Sequence, residues 1–163
     1  MNMFNCSVPD ICDEFSDIQI GDLFLKSYGS MSKFYGQVNT AKCEHSNAVV
    51  KDFVEEDGTE KILIVEHTGS DLCSMIGDKI AQKAFDNNWN GIITNGCIRD
   101  IEVIKNINIG VLAQNSYPMK TDKSKGVGEK NVSIKLGSIL INPGDWIYVD
   151  SNGWIKSEKK LEL

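Results

Sequence analysis

The sequence predicts an α/β fold in which a parallel β-α-β part is followed by an antiparallel β part. Three observations carry that prediction. Apolar runs without polar alternation stand at Lys61-Ile62-Leu63-Ile64-Val65, Gly91-Ile92-Ile93-Thr94-Asn95 and Ile109-Gly110-Val111-Leu112-Ala113, the pattern of strands covered on both faces. Helical patterns separate these runs, and such alternation pairs strands in parallel through right-handed crossovers. Beyond residue 131 the strand-like stretches shorten, and turns replace the helices between them.

Taken in order, Ser7-Val8-Pro9-Asp10 reads as a helix start, with Ser7 as cap, Pro9 in the first turn and Asp10 at the positive end. This helix runs through about Phe15. Phe34, Tyr35, Val38 and Thr40 favour a strand over 34–43, with Gly36 as a bulge or a point of close approach. Ser46 is expected to cap a second helix, whose Val49, Val50, Phe53 and Val54 share a face and which Gly58 ends. After the strand at 61–65 and a turn-rich stretch at 67–71, a helix is expected from about Gly77 to Asn88, burying Ile80, Ala81, Ala84 and Phe85. The strand at 91–95 ends in a tight passage at Asn95-Gly96, Arg99-Asp100 opens a short helix through Lys105, and the strand at 109–113 follows. Residues 116–130 read as a polar loop. Strands at 132–136, 139–142, 146–149 and 154–156 complete the chain, joined by turns at Pro143-Gly144-Asp145 and Ser151-Asn152-Gly153.

Composition narrows the function. At 163 residues the chain can bury one sizeable core, and a single domain over 1–163 is expected. A net charge of −6 argues against direct nucleic-acid binding, whose affinity rests on clustered Lys and Arg. Cys6, Cys12, Cys43, Cys73 and Cys97 form no C-x-x-C pair, so neither a disulfide framework nor a zinc knuckle fits, and reduced thiols are expected. With no signal-peptide pattern and no apolar run of spanning length, the expectation is a cytoplasmic protein that does not enter the membrane.

In α/β folds ligands gather beyond the carboxyl ends of parallel strands, where loops run into helix N-termini. Gly77-Asp78-Lys79-Ile80 and Gly96-Cys97-Ile98-Arg99-Asp100 both meet that condition. A helix start offers unpaired N–H groups to a carboxylate, and a glycine lets the anion approach. Arg99 adds a fork-shaped cation that suits a carboxylate or an enolate. Asp100 supplies a carboxylate for a hard divalent cation, since Mg²⁺ commonly takes only one or two. Acids favour helix starts in any protein, so Asp78 and Asp100 alone do not separate a site from ordinary capping. His45 and His67 fall in different segments, and His67, beside a turn, reads as a strand-end surface or packing residue rather than a ligand. Gly126-Val127-Gly128 reads as a turn rather than a phosphate cradle, and Trp89, Trp146 and Trp154 as packing residues, the last two in core or subunit contacts.

Over nearly its whole length the chain resembles the RraA-like family, which holds both regulators of ribonuclease E activity and metal-dependent 4-hydroxy-4-methyl-2-oxoglutarate aldolases. The resemblance is carried by Cys12-Asp13, Phe34-Tyr35-Gly36-Gln37 with Thr40 and Lys42-Cys43, Asn88-Trp89-Asn90-Gly91, Gly96-Cys97-Ile98-Arg99-Asp100, Ile109-Gly110-Val111, Gly126-Val127-Gly128, and Pro143-Gly144-Asp145 followed by Asp150. It implies a compact β-β-α sandwich similar to swivelling phosphohistidine-type domains, assembled as a homotrimer with sites between subunits. The aldolase branch has a Gly-Asp-x-aliphatic turn for the pyruvoyl carboxylate and an Arg-Asp pair some twenty residues later. This sequence matches at Gly77, Asp78, Lys79 and Ile80, and again at Arg99 and Asp100, with 22 positions between Gly77 and Arg99. A further acid of that pattern is replaced by Val103, with Glu102 the nearest acid.

The resemblance thus implies an Mg²⁺- or Mn²⁺-dependent lyase acting on small 2-oxo dicarboxylic acids. It would cleave 4-hydroxy-4-methyl-2-oxoglutarate to pyruvate and decarboxylate oxaloacetate through the same pyruvate enolate. Asp100 would hold the metal and Arg99 would stabilise the enolate. Backbone N–H groups from Gly77 to Ile80 would orient the carboxylate, and Asp78 would position a metal-bound water as proton shuttle. The rival expectation is a non-catalytic regulator that docks on a ribonuclease E-like protein.

Overall fold

The computed structural model describes residues 3–163. Helix α1, Val8–Glu14, is followed by short strands β1, Gln19–Ile20, and β2, Lys26–Ser27, and by the long β3, Phe34–Cys43. Next come α2, Ala48–Val54; β4, Lys61–His67; β5, Ser74–Ile76; α3, Asp78–Asp86; β6, Gly91–Ile98; α4, Ile101–Ile104; and β7, Gly110–Ser116. The remainder is β8, Glu129–Lys130; β9, Ile134–Leu136; β10, Ile139–Ile141; β11, Trp146–Asp150; and β12, Gly153–Ser157.

Ten strands make one mixed sheet in the order β1-β12-β11-β3-β4-β6-β7-β2, with β5 beside β6 and β8 beside β3, and β9 and β10 form a separate hairpin. The centre, β3-β4-β6-β7, is parallel, as the β-α-β pattern requires. The late antiparallel strands β11 and β12 extend that same sheet from β3. Among the described residues, no helix is long and apolar enough to cross a membrane.

Burial on both faces explains the unalternating strands. Leu63, Val65, Ile92, Val111 and Ala113 face α2 and α3, whose Val49, Val50, Phe53, Ile80, Ala81 and Ala84 join them in one core. Ile62, Ile64, Ile93 and Leu112 face the other way, onto Ile134, Leu136, Ile139 and Ile141 of the β9–β10 hairpin. Each such side chain contributes on the order of 1.5–3 kcal/mol through burial, so slipping a central strand by one residue would exchange two packed faces. A third cluster seats α1 against Tyr148 and Ile155. Its start is the expected one: Ser7 Oγ accepts from Asp10 N–H at 3.2 Å while Ser7 N–H donates to Asp10 Oδ2 at 2.9 Å.

Several expectations need correction. The cap position of α2 belongs to Asn47, and Ser46 Oγ instead accepts from Ala48 N–H at 3.2 Å. The helix ends at Val54, before Gly58. Asn95-Gly96 is no tight turn, because β6 continues through it to Ile98. Asn95 Oδ1 accepts from His67 N–H and its Nδ2 donates to His67 O, at 2.7 and 3.2 Å, replacing ladder bonds where the strand is irregular. Phe85 is 41% exposed, and Trp89 fills the core beside Phe53 in its place. The short strands β1, β2, β5 and β8 carry no periodic signal, being two or three residues long. Gly36 is a point of close approach, since a Cβ there would stand 2.8 Å from Glu60 O.

Candidate active site

The site grows from the carboxyl ends of two neighbouring strands. β5 pairs with β6 in parallel, and Arg99 N–H donates to Ile76 O at 3.0 Å just beyond the pairing. Gly77 and Arg99, distant in sequence, therefore leave the sheet side by side. Gly77 caps α3, so Asp78, Lys79 and Ile80 form its first turn. Asp100 caps α4 in the left-handed region, at φ 61° and ψ 38°, a conformation that costs a non-glycine residue of order 1 kcal/mol and turns its carboxylate back toward α3.

The two segments meet at one carboxylate oxygen. Asp100 Oδ2 accepts from Asp78 N–H at 3.3 Å and lies 3.8 Å from Arg99 Nε. Asp78 Oδ1 in turn accepts from Lys79 N–H at 2.8 Å. Gly77 is required by this closeness rather than by its torsion: its backbone is extended, yet a Cβ would stand 2.9 Å from Asp100 Oδ2. Arg99 Nη1 also reaches Pro118 O at 3.4 Å, which links the site to the loop after β7. The Arg99 and Asp100 side chains are each 39% exposed, so the site is open on one side. All the residues expected to share the site, Gly77, Asp78, Lys79, Ile80, Arg99 and Asp100, thus lie at one corner.

The donor set suits a hard divalent cation. One carboxylate positioned by an N–H group, with Asp78 as a second acid at the adjoining helix start, matches the sparse protein ligation of Mg²⁺ or Mn²⁺. Glu102 and Val103 are both exposed on α4, and among the described residues no three His, Cys, Asp or Glu side chains converge on a metal position. Cys97 is half-buried and burial pushes its thiol up, away from the thiolate a nucleophile needs. Burial likewise lowers His67, favouring the neutral imidazole of a packing residue. A hollow of about 590 Å³ lies elsewhere, lined by Val8, Ile20, Phe24, Leu25, Asp150 and Trp154.

Sequence reasoning missed two cations beside this corner. Lys123 of the 117–125 loop, Lys79 and Arg99 all lie close enough to Lys51 of α2 to act on it electrostatically. The nearby Lys123 ammonium, partial burial and the other two charges lower Lys51 to about 8. A buried amide sets this up. Asn47 Nδ2 donates to Met75 O at 2.9 Å, Asn47 Oδ1 accepts from Thr121 Oγ1 at 2.9 Å, and Asn47 O accepts from Lys51 N–H at 3.2 Å. The available sequence signal was the Lys120–Lys125 stretch, three lysines in an otherwise acidic chain.

A family model for RraA-like proteins, described as Aldolase/RraA, matches residues 8–155. A Pseudomonas putida (strain W619) protein, provisionally named 4-hydroxy-4-methyl-2-oxoglutarate aldolase, is 40% identical over 156 residues, covering 95% of each chain. Two solved structures share the fold at a TM-score of 0.91. One, from Geobacillus kaustophilus HTA426, is described as an S-adenosylmethionine:2-dimethylmenaquinone methyltransferase, with 32% identity over 96% of this chain and 97% of that one. The other is described as the RNA-processing inhibitor RraA from Thermus thermophilis, with 28% identity over 98% and 96%.

Proposed function

The chain belongs to the RraA-like family, and from that premise we propose that it is a divalent-metal-dependent carbon–carbon lyase. Its reaction is the cleavage of 4-hydroxy-4-methyl-2-oxoglutarate to pyruvate, with oxaloacetate decarboxylation through the same pyruvate enolate. The observation that carries this reading is the meeting of Asp78 N–H and Arg99 on Asp100 Oδ2 at the ends of β5 and β6.

Asp100 would hold Mg²⁺ or Mn²⁺, which supplies Lewis-acid charge at the 2-oxo oxygen. Arg99 stabilises the negative charge that develops on that oxygen as the carbon–carbon bond breaks. The amides of the Gly77–Ile80 turn orient the neighbouring carboxylate. Because Asp78 Oδ1 already caps Lys79 N–H, an arriving substrate carboxylate displaces it. The freed Asp78 then holds a water that takes the proton from the 4-hydroxyl group and returns one to the methylene carbon.

The working form in this reading is one RraA-like domain over residues 1–163, cytoplasmic and assembled as a homotrimer in which a neighbouring subunit closes the open site. Phe24, 92% exposed beside the large apolar hollow, supports a subunit contact there. The test is pyruvate release from both substrates, with and without Mg²⁺. Pyruvate should appear only with metal, and Asp100→Ala should lower the rate by about 10² to 10³. A full rate after chelation or in Asp100→Ala would overturn the mechanism.

The likeness to the RNA-processing inhibitor favours a second reading, a regulator of a ribonuclease E-like endoribonuclease. An acidic chain would dock on basic segments, so association should weaken as salt rises. A protein silent in the pyruvate assay that binds such a nuclease at low salt would select it.

A further inference from the structure

We propose that Lys51 and Lys123 form a second anion subsite, the seat of the far carboxylate of a 2-oxo dicarboxylate whose near end lies at the Gly77 turn. The inference rests on the lyase reading for the identity of the near end, and adds what selects a dicarboxylic substrate over a monocarboxylic one. Its basis is a gathering of like charge without counter-charge. Lys51, Lys79, Arg99 and Lys123 converge, yet among the described residues none of the three lysines forms an ion pair with a carboxylate, and Arg99 has only the 3.8 Å contact with Asp100. Elsewhere in this acidic chain lysines do find acids: Lys83 pairs with Glu55, Lys130 with Glu56, and Lys156 with Asp145.

The fold enforces the crowding. Asn47 anchors the start of α2, four residues before Lys51, and its side chain also binds Thr121, two residues before Lys123. The same side chain holds Met75 O in β5, the strand that delivers Gly77. One buried amide therefore fixes the spacing between the proposed far-carboxylate seat and the near-carboxylate turn. A hollow of about 450 Å³, bordered by Met119 to Ser124, leaves room beside Lys123. Two ammonium groups held together cost stability until an anion lies between them, and that cost is recovered only by a ligand carrying charge at this end.

The experiment is calorimetric titration of the Mg²⁺-loaded protein with two non-cleavable ligands that differ only at the far end, 2-oxoglutarate and 2-oxopentanoate. Wild type should bind 2-oxoglutarate at least about tenfold more tightly, the effect of one or more charge-assisted hydrogen bonds. In Lys51→Met and Lys123→Met the preference should shrink to about twofold, with 2-oxopentanoate binding retained, and Lys51→Arg should restore it. Equal binding of the two ligands by wild type, an undiminished preference in both Met variants, or loss of both ligands together in those variants would overturn the subsite. Failure of the lyase reading is a separate result, because wild type would then release no pyruvate from oxaloacetate whatever its ligand preference.

Discussion

Replacing Gly77 by alanine adds one methyl group at the point where the two segments of the candidate site touch. The new Cβ would stand 2.9 Å from Asp100 Oδ2, where ordinary contact begins near 3.4 Å, so the carboxylate must yield by about 0.5 Å. The bond from Asp78 N–H to that oxygen is already 3.3 Å long, and the shift carries it out of hydrogen-bonding range. Misplacing a reacting group by about 1 Å can cost about 10²-fold, so half that displacement should lower kcat/KM by about 10- to 10²-fold. The fold should be spared, since Gly77 has an extended φ of −122° that alanine adopts freely, and stability should change by no more than about 1 kcal/mol. Pyruvate release coupled to NADH oxidation by lactate dehydrogenase reads the rate, and thermal unfolding provides the control. A Gly77→Ala protein with normal Tm and activity within about twofold of wild type would refute the crowding argument.

Four further outcomes are expected. Asn47→Ala should destabilise the protein by about 2–4 kcal/mol by chemical denaturation, because Met75 O and Thr121 Oγ1 both lose their partner inside the structure; a smaller effect than 1 kcal/mol would contradict the anchoring role. Lys156 and Asp145 form an ion pair at 3.2 Å with side chains only 4% and 8% exposed, so Lys156→Met should cost about 3–5 kcal/mol, and adding Asp145→Leu should recover part of it. Lys51 is depressed from 10.5 to about 8, so it is charged below pH 8 and loses its charge as pH rises through that value. The KM for oxaloacetate should then climb above pH 8 in wild type but not in Lys51→Met. A base with a lowered folded-state pKa also opposes folding at pH 7, so Lys51→Met should raise the Tm there, and a lowered Tm would argue against like-charge strain.

Much of this fold was legible along the chain because its signals are local. The capping box of α1 spans four residues, and the apolar runs of β4, β6 and β7 announce burial on both faces without reference to anything distant. Turn propensity misled at Asn95-Gly96, where His67 of the adjacent strand supplied partners that kept the backbone extended. Likewise Phe85 had the periodicity of a core residue, but Trp89 occupied the space.

The candidate site divides the same way. Gly77, Asp78, Arg99 and Asp100 could be placed in the sequence at strand ends and helix starts, which parallel neighbouring strands bring to one edge, and the resemblance to the RraA-like family singled them out from ordinary helix caps. Lys51 and Lys123 belong to no common motif, and each alone is an ordinary lysine on a polar face or in a loop. Their meeting depends on a hydrogen bond between Asn47 and Thr121, 74 positions apart, made inside the folded protein. Local propensity therefore determined where helices, strands and the first acids lie, while the gathering of unpaired charge was decided only in the tertiary structure. Like charges are brought together only when the packing of other groups outweighs their repulsion.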